Sequence, residues 1–264
     1  MKYHEQGSIV QHKQVGSDYY LMSIEAPSIA AEARPGQFVH LLCSEGLHPF
    51  LRRPISIFFA KEGEVGLLYK VVGEGTGLLS QKRVGETADL IGPLGTSFQD
   101  HGHERVLLVA GGIGIAPLVF LADTLDRSDK EVYAIYGAAD RRDLVARVDL
   151  AMNCSELDVS TMNGSEGVRG TVLDVLQQRY GNGEALPQYI YACGPGAMLE
   201  ALYSWMQEKG LPGQFSLENR MGCGIGACLG CVLPKRRGEG YLRICCDGPV
   251  FDAAEVQCQA SLTE

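Results

Sequence analysis

Residues Arg105-Val-Leu-Leu-Val-Ala-Gly-Gly-Ile-Gly-Ile-Ala-Pro-Leu118 decide the fold. The run up to Ala110 is continuous and apolar, the pattern of a parallel strand buried on both faces. Glycines follow at once, and a helical pattern then runs through Leu125. Strand, glycine turn and helix in that order form the unit of a doubly wound α/β sheet, with the turn where a dinucleotide phosphate binds. The loop departs from the full G-x-G-x-x-G pattern because Pro117 stands in its last position. Gly111, Gly112 and Gly114 are the candidate contacts, and a turn that only packs helix on strand is the alternative.

Val132-Tyr-Ala-Ile-Tyr136 and Tyr189-Ile-Tyr-Ala192 repeat the buried-strand pattern, with helical segments between and after. Residues 101–212 therefore read as a nucleotide-binding α/β domain. The last strand runs into Ala192-Cys-Gly-Pro-Gly-Ala-Met198, which places Cys193, Gly194 and Pro195 at the carboxyl edge of the sheet, beside a nicotinamide. A buried thiol at a Gly-Pro turn is the plainer alternative. After the second strand, Asp140 suits a ribose hydroxyl, whereas Arg141 and Arg142 suit a 2′-phosphate or a solvated loop.

Upstream, residues 1–100 break into short β-branched and aromatic runs, Tyr19–Glu25, Gln37–Cys43, Ile55–Phe59 and Val65–Val72, separated by turn residues. Such spacing predicts a small antiparallel barrel, with Gly92-Pro93-Leu94-Gly95 as the turn that closes it. Arg52-Arg-Pro-Ile-Ser-Ile57 combines cations, a rigid turn and a hydroxyl in a way that suits a flavin: an arginine for the pyrophosphate and Ser56 near the reactive ring nitrogen. Alone it reads more readily as an ordinary Arg-Pro turn. Leu68-Tyr-Lys-Val-Val-Gly-Glu-Gly-Thr-Gly77 strengthens it, since a Gly-Thr pair opening a helix offers N–H groups to phosphate.

Downstream, residues 213–264 are rich in Cys and Gly. Met221-Gly-Cys-Gly-Ile-Gly-Ala-Cys-Leu-Gly-Cys-Val232 sets Cys223, Cys228 and Cys231 in the C-x4-C-x2-C spacing of plant-type [2Fe–2S] centres. Cys245 or Cys246 supplies a fourth thiolate. Zinc takes four thiolates as readily, but its sites usually show C-x2-C pairs at both ends. Cys43, Cys154 and Cys258 read as ordinary thiols. The nine cysteines are an odd number, which fits reduced thiols and metal ligation better than a disulfide scaffold.

Composition narrows the class. Hydrophobic residues at 45% and charged residues at 21% are those of a soluble globular protein. A net charge of −9 disfavours nucleic acid and anionic membranes. No apolar run approaches the roughly 20 residues that span a bilayer. The polar start, Met1-Lys-Tyr-His-Glu-Gln, lacks a signal-peptide core, so a cytoplasmic location is expected.

The order Arg-Pro-x-Ser, Gly-Gly-x-Gly-x-Ala-Pro, Cys-Gly-Pro resembles the ferredoxin reductase superfamily over essentially the whole chain. The C-terminal Cys-Gly-x-Gly-x-Cys-x-Gly-Cys followed by Cys-x-Asp-Gly-Pro-Val-Phe is similar to the electron-transfer subunits of NAD-dependent (class 1B) dihydroorotate dehydrogenases. That resemblance implies an FAD-binding barrel (1–100), an NAD-binding α/β domain (101–212) and a [2Fe–2S] module (213–264). It assigns the fourth ligand to Cys245, and FAD contacts to Arg53, Pro54, Ile55, Ser56, Leu68, Tyr69, Lys70, Gly75 and Thr76. Ile55 stands where many superfamily members stack a tyrosine on the flavin. The resemblance also implies a partner, an FMN-containing TIM-barrel catalytic subunit joined in a heterotetramer of two of each. Dihydroorotate is oxidised there, and electrons pass through [2Fe–2S] and FAD to NAD+ for pyrimidine synthesis. Subunits of ferredoxin:NADP+ oxidoreductases, sulfide dehydrogenases or hydrogenases share these motifs. A zinc-stabilised binding module without cofactors is the reading from another class.

Overall fold

The computed structural model describes residues 1–126, 128 and 130–258. The N-terminal part is a closed antiparallel barrel of β1 (Tyr3–Gln14), β2 (Tyr19–Glu25), β3 (Phe38–Leu41), β4 (Arg53–Lys61), β5 (Glu64–Lys70) and β6 (Thr87–Leu94), in the order β1-β2-β5-β4-β3-β6. Successive strand residues point to opposite faces, so Met22 and Ile24, Ile55 and Ile57, and Val65, Leu67 and Tyr69 fill its interior. Helix α1 (Pro27–Glu32) adds Ile29 to that core, and α2 (Glu74–Gln81) follows β5.

Two strands go beyond the sequence expectation. In β1 only Ile9 is buried, and its otherwise polar surface carries little strand signal. β6 runs straight through Gly92-Pro93, the expected closing turn, and the reversal comes at Gly95 with φ +77. Pro93 is accommodated because the β3–β6 register shifts between Phe38↔Leu94 and His40↔Ile91, where no ladder N–H is needed.

The second part is a seven-stranded sheet. It comprises β7 (Arg105–Gly111), β8 (Glu131–Ala138), β9 (Glu156–Thr161), β10 (Val168–Arg169), β11 (Tyr189–Cys193), β12 (Gly213–Ser216) and, from near the C-terminus, a strand at Val250–Asp252. Helices α3 (Ile115–Asp126), α4 (Arg147–Ala151), α5 (Val172–Gly181) and α6 (Gly196–Lys209) cover it. The apolar run that opens this domain is continuous because its alternate residues serve two cores. Leu107 and Val109 face Val175, Leu176, Leu199 and Leu202. Val106, Leu108 and Ala110 face Leu118 and Ala122, and the same core takes Tyr19, Phe58 and Leu68 from the barrel. One apolar core, distinct from the barrel's own interior, is thus shared between the barrel and the sheet.

Residues after β12 leave the sheet, form the hairpin β13 (Val232–Pro234) and β14 (Tyr241–Arg243), and return as β15, the Val250–Asp252 strand, antiparallel to β12. Thr96, just beyond the barrel, donates its N–H to Gly248 O (2.6 Å) and its hydroxyl to Val250 O (2.9 Å). Arg236 makes a two-pronged pair with Glu200 of α6 at 2.7 and 3.1 Å. No helix among the described residues is long and apolar enough to cross a membrane.

Asp89 of β6 anchors the barrel where β3 and β4 diverge. Its carboxylate takes Arg52 at 2.6 Å, His4 at 2.9 Å and Gln6 at 3.0 Å. Burial opposes the charge, but hydrogen bonds from Gln6, Arg52 and His4 outweigh it and hold the pKa below the usual carboxylate value. The stability this contributes is fully present above the unfolded carboxylate pKa and is lost as pH falls through the depressed one. Asp89→Asn should therefore cost about 1–3 kcal/mol at neutral pH, with the gap to the parent closing under acid in denaturant titrations.

Candidate functional site

A cavity of about 400 Å³ lies where the barrel, the sheet and the C-terminal segment meet. Tyr19 and Lys70 line it from the barrel, Gly111–Gly114 and Gly194–Gly196 from the sheet's carboxyl edge, and Glu218, Leu233 and Cys258 from the C-terminal segment. The two expected glycine turns therefore meet in one cavity. Their contact leaves no room for a side chain: a methyl group on Gly114 would stand 2.4 Å from Cys193 O.

The barrel supplies a second opening. Pairing between β4 and β5 ends at Ile57↔Leu67, while Arg53–Ser56 pair on their other side with β3. The facing edges of Pro54–Ser56 and Leu68–Lys70 are thus splayed, with backbone groups free of a β4–β5 ladder. Arg53 closes one end, since a Cβ on Gly75 would lie 2.7 Å from its Nε. Gly75 and Thr76 sit in the first turn of α2, whose N–H groups have no intrahelical acceptor. A planar ring with a pyrophosphate tail fits a splayed strand pair that ends in a cation and a helix start.

Side chains in this stretch divide their work. Ile55 is buried in the barrel core, and Pro54 and Ser56 are half-buried on the opposite face. Tyr69 turns inward and its hydroxyl meets His12 Nε2 at 2.9 Å, so only its backbone faces the splayed edge. Leu68 joins the core shared with the sheet. Lys70 reaches the cavity, lies 4.8 Å over the Tyr19 ring and pairs with Asp143 at 3.8 Å.

Cys193 ends β11 and is buried, outside the residues that line the cavity. Burial, then the nearby Glu218 charge, pushes its thiol up. Glu218, which the sequence reading did not single out, opens into the cavity, and desolvation by the surrounding walls raises its pKa. Its sequence signal was slight: one carboxylate directly after the buried Phe215-Ser-Leu217 and shortly before the cysteine loop. Asp140 follows β8 and accepts from Arg142 N (2.8 Å), Arg142 Nε (3.0 Å) and Asn163 Nδ2 (2.8 Å). Those bonds, the Arg142 backbone first, bring its pKa down to about 2.

The cysteine loop folds its own N–H groups onto sulfur. Cys223 Sγ accepts from Ile225 N (3.5 Å) and Cys228 N (3.4 Å), and Cys228 Sγ from Gly230 N (3.4 Å). Cys231 Sγ accepts from Cys245 N (3.4 Å), and Cys245 Sγ from Gly226 N (3.1 Å). Cys246 Sγ lies 3.8 Å from Cys245 Sγ and close over Gly226. Four sulfurs, those of Cys223, Cys228, Cys231 and Cys245, thus take backbone donors, the kind of contact that tunes a bound iron–sulfur centre. Hydrogen bonds from Ile225 and then Cys228 pull the Cys223 thiol down to about 6, while burial, then Cys231 and Cys246, push that of Cys245 up. Among the described residues no three His, Cys, Asp or Glu side chains are grouped for a single metal ion. Arg243 brackets the turn carrying Cys245 through Asp247, at 2.9 and 3.1 Å.

Known proteins agree with this layout. A family model for the "Iron-sulfur cluster binding domain of dihydroorotate dehydrogenase B" matches residues 218–257, and one for the "Oxidoreductase NAD-binding domain" matches residues 108–203. The dihydroorotate dehydrogenase B (NAD(+)) electron transfer subunit of Desulforamulus reducens is 40% identical, over 92% of this chain and 94% of that one. Its counterpart from Geobacillus sp. (strain WCH70) is 39% identical, over 96% and 98%. A solved NADH-dependent reduced ferredoxin–NADP oxidoreductase has a TM-score of 0.86 at 32% identity, covering 96% of this chain and 90% of that one. A ferredoxin NADP+ reductase from Neisseria gonorrhoeae shares the fold, with a TM-score of 0.68 at 17% identity. By cysteine loop, cavity and near full-length likeness, the chain belongs to the family of electron transfer subunits of dihydroorotate dehydrogenase B (NAD(+)).

Proposed function

We propose that Cys223, Cys228, Cys231 and Cys245 hold the [2Fe–2S] cluster, that the splayed edges of β4 and β5 with Arg53, Gly75 and Thr76 hold FAD, and that Gly111–Gly114 with Gly194 and Pro195 receive NAD. The observation that carries this reading is the cavity whose walls come from barrel, sheet and the segment bearing the cysteine loop. In the working complex the chain passes electrons from the FMN of a TIM-barrel catalytic subunit through the iron–sulfur centre and FAD to NAD+, in the service of pyrimidine synthesis. When bound, FAD supplies the exchange between one-electron and two-electron chemistry.

The chain's own residues do the holding and shielding. Arg53 and the start of α2 offset pyrophosphate charge. The contact of Gly114 with Cys193 sets a floor on which a nicotinamide would lie. Glu218 presents a carboxylate with a raised pKa to that floor, suited to holding a proton or a polar edge of the ring. Ile225 and Leu229 on the cysteine loop are 53% and 60% exposed and leave an apolar rim for the partner. We place the complex in the cytoplasm as two copies of each subunit. The likeness to the ferredoxin–NADP oxidoreductase favours a second reading, as a subunit of such an enzyme. Co-purification with an FMN-bearing TIM barrel, rather than a larger flavin partner, decides for the first.

In the purified complex, Cys245→Ser and Cys223→Ser should lose the visible and EPR signals of the cluster, whereas Cys246→Ser should keep them. Iron analysis checks each variant. Gly114→Ala should raise KM for NADH at least tenfold with FAD content unchanged, as measured by steady-state kinetics. Reduction by NADH should exceed reduction by NADPH, and Asp140→Ala should narrow that preference.

A further inference from the structure

His40 stands between the two cofactor regions. It belongs to β3, directly opposite Pro54 in the flavin-facing strand. Its ring leans on the cysteine loop: a Cβ on Gly224 would lie 2.7 Å from His40 Nδ1, and Gly224 adopts φ +69. Glycine at this position gives both the left-handed backbone and the close approach that the imidazole needs. The side chain is 2% exposed. Its carbonyl is held by Arg52 Nη1 at 3.3 Å, and the same guanidinium grips Asp89, so the strand beneath the ring is fixed.

One feature of His40 is unaccounted for by the protein alone. Nε2 is buried and has no hydrogen-bond partner among the described residues. Buried polar atoms are almost always paired, and the exceptions mark an absent ion, water or group. Burial first, then the Arg52 charge, lowers the pKa of the imidazole to about 4, which keeps it neutral with one N–H to place. The neighbouring loop is the one whose N–H groups bond the sulfurs of Cys223, Cys228 and Cys245, where a cluster would add further sulfur acceptors.

We propose that His40 is a positioning residue for the [2Fe–2S] centre, seating the Gly224 turn against the flavin strand and donating its Nε2–H to a sulfur of the cluster. The proposal rests on the ligand reading above. A reduced cluster carries one more negative charge, so an N–H directed at sulfur stabilises the reduced form more than the oxidised one. Removing that donor should move the midpoint potential to more negative values.

The test uses the complete complex with its partner subunit. His40→Phe keeps a ring of similar size without nitrogen, and His40→Gln returns an N–H at comparable reach. In His40→Phe, iron and FAD content should stay at the parental level while the cluster potential falls and its EPR g-values shift. His40→Gln should move both back toward the parent. An unchanged potential and spectrum in iron-replete His40→Phe would show that the ring only fills space, and would overturn the proposal. If His40→Phe fails to retain iron, His40→Gln decides: a parental spectrum supports the donor, and an altered one or lost iron refutes it. A parental complex without any [2Fe–2S] signal would overturn the ligand reading itself, and the His40 role with it.

Discussion

The pairing of β15 with β12 fixes where the chain's electron-handling parts can be. Gln214↔Asp252, Phe215↔Phe251 and Ser216↔Val250 hold both ends of the intervening segment at strand spacing. Everything from residue 217 to 249 is therefore a closed excursion from the sheet's edge, and its closure entropy is met by a ladder whose Phe215 and Phe251 are buried in the sheet's core. One end of that excursion places Glu218 in the cavity and the other sets Gly248 on Thr96 beside the barrel. The cysteine loop lies between, touching the barrel at His40, and the hairpin that follows it is held to α6 through Arg236 and Glu200. A module that hung from a linker could not hold a fixed distance to a flavin; one stitched into the sheet can.

The same economy appears in the shared core. Tyr19, Phe58 and Leu68 of the barrel pack with Val106, Leu108 and Ala110 of β7 and with α3. Barrel and sheet are thereby joined through buried apolar surface, which favours a fixed arrangement over hinge motion. That arrangement is what brings Lys70 to face Gly111–Gly114 across the cavity. Substrate access must then come from side chains and from the open face of the cavity, because sliding the two parts would expose this core.

Much of this was legible in the sequence, and the rest was hidden for identifiable reasons. The run Val106–Ala110 announced a strand buried on both faces because its alternate residues do feed two cores. β1 was silent because a barrel strand with one buried residue has no apolar period. Pro93 suggested a turn because proline is expelled from regular ladders, and only the local shift of register lets it remain in one. At the site, two of the motif residues keep their side chains out of the openings. The Cys193 thiol is buried and does not line the cavity, and the Tyr69 hydroxyl is spent on His12. Glu218 and His40 escaped notice because a lone carboxylate and a lone histidine have no spacing to read, and their meaning comes from neighbours distant in sequence.

The electrostatics of the cysteine loop explain why its cofactor and its structure belong together. The cysteines touch in pairs, Cys223 with Cys228 and Cys231 with Cys245, where thiolates repel each other, and a chain of net charge −9 offers no general relief. Backbone N–H groups relieve Cys223, the most accessible to them, but Cys245 is buried against Cys231 and Cys246 and resists ionisation. Local dipoles can therefore carry part of the charge and leave a remainder that only bound cations neutralise. With the ligand set proposed above, iron binding would deprotonate these thiols, and its free energy would contribute directly to the order of residues 222–246. The hairpin of β13 and β14, the Arg243–Asp247 bracket and the wedge of His40 preset the backbone for that event. The charge that would otherwise open the loop becomes, once iron is bound, what closes it.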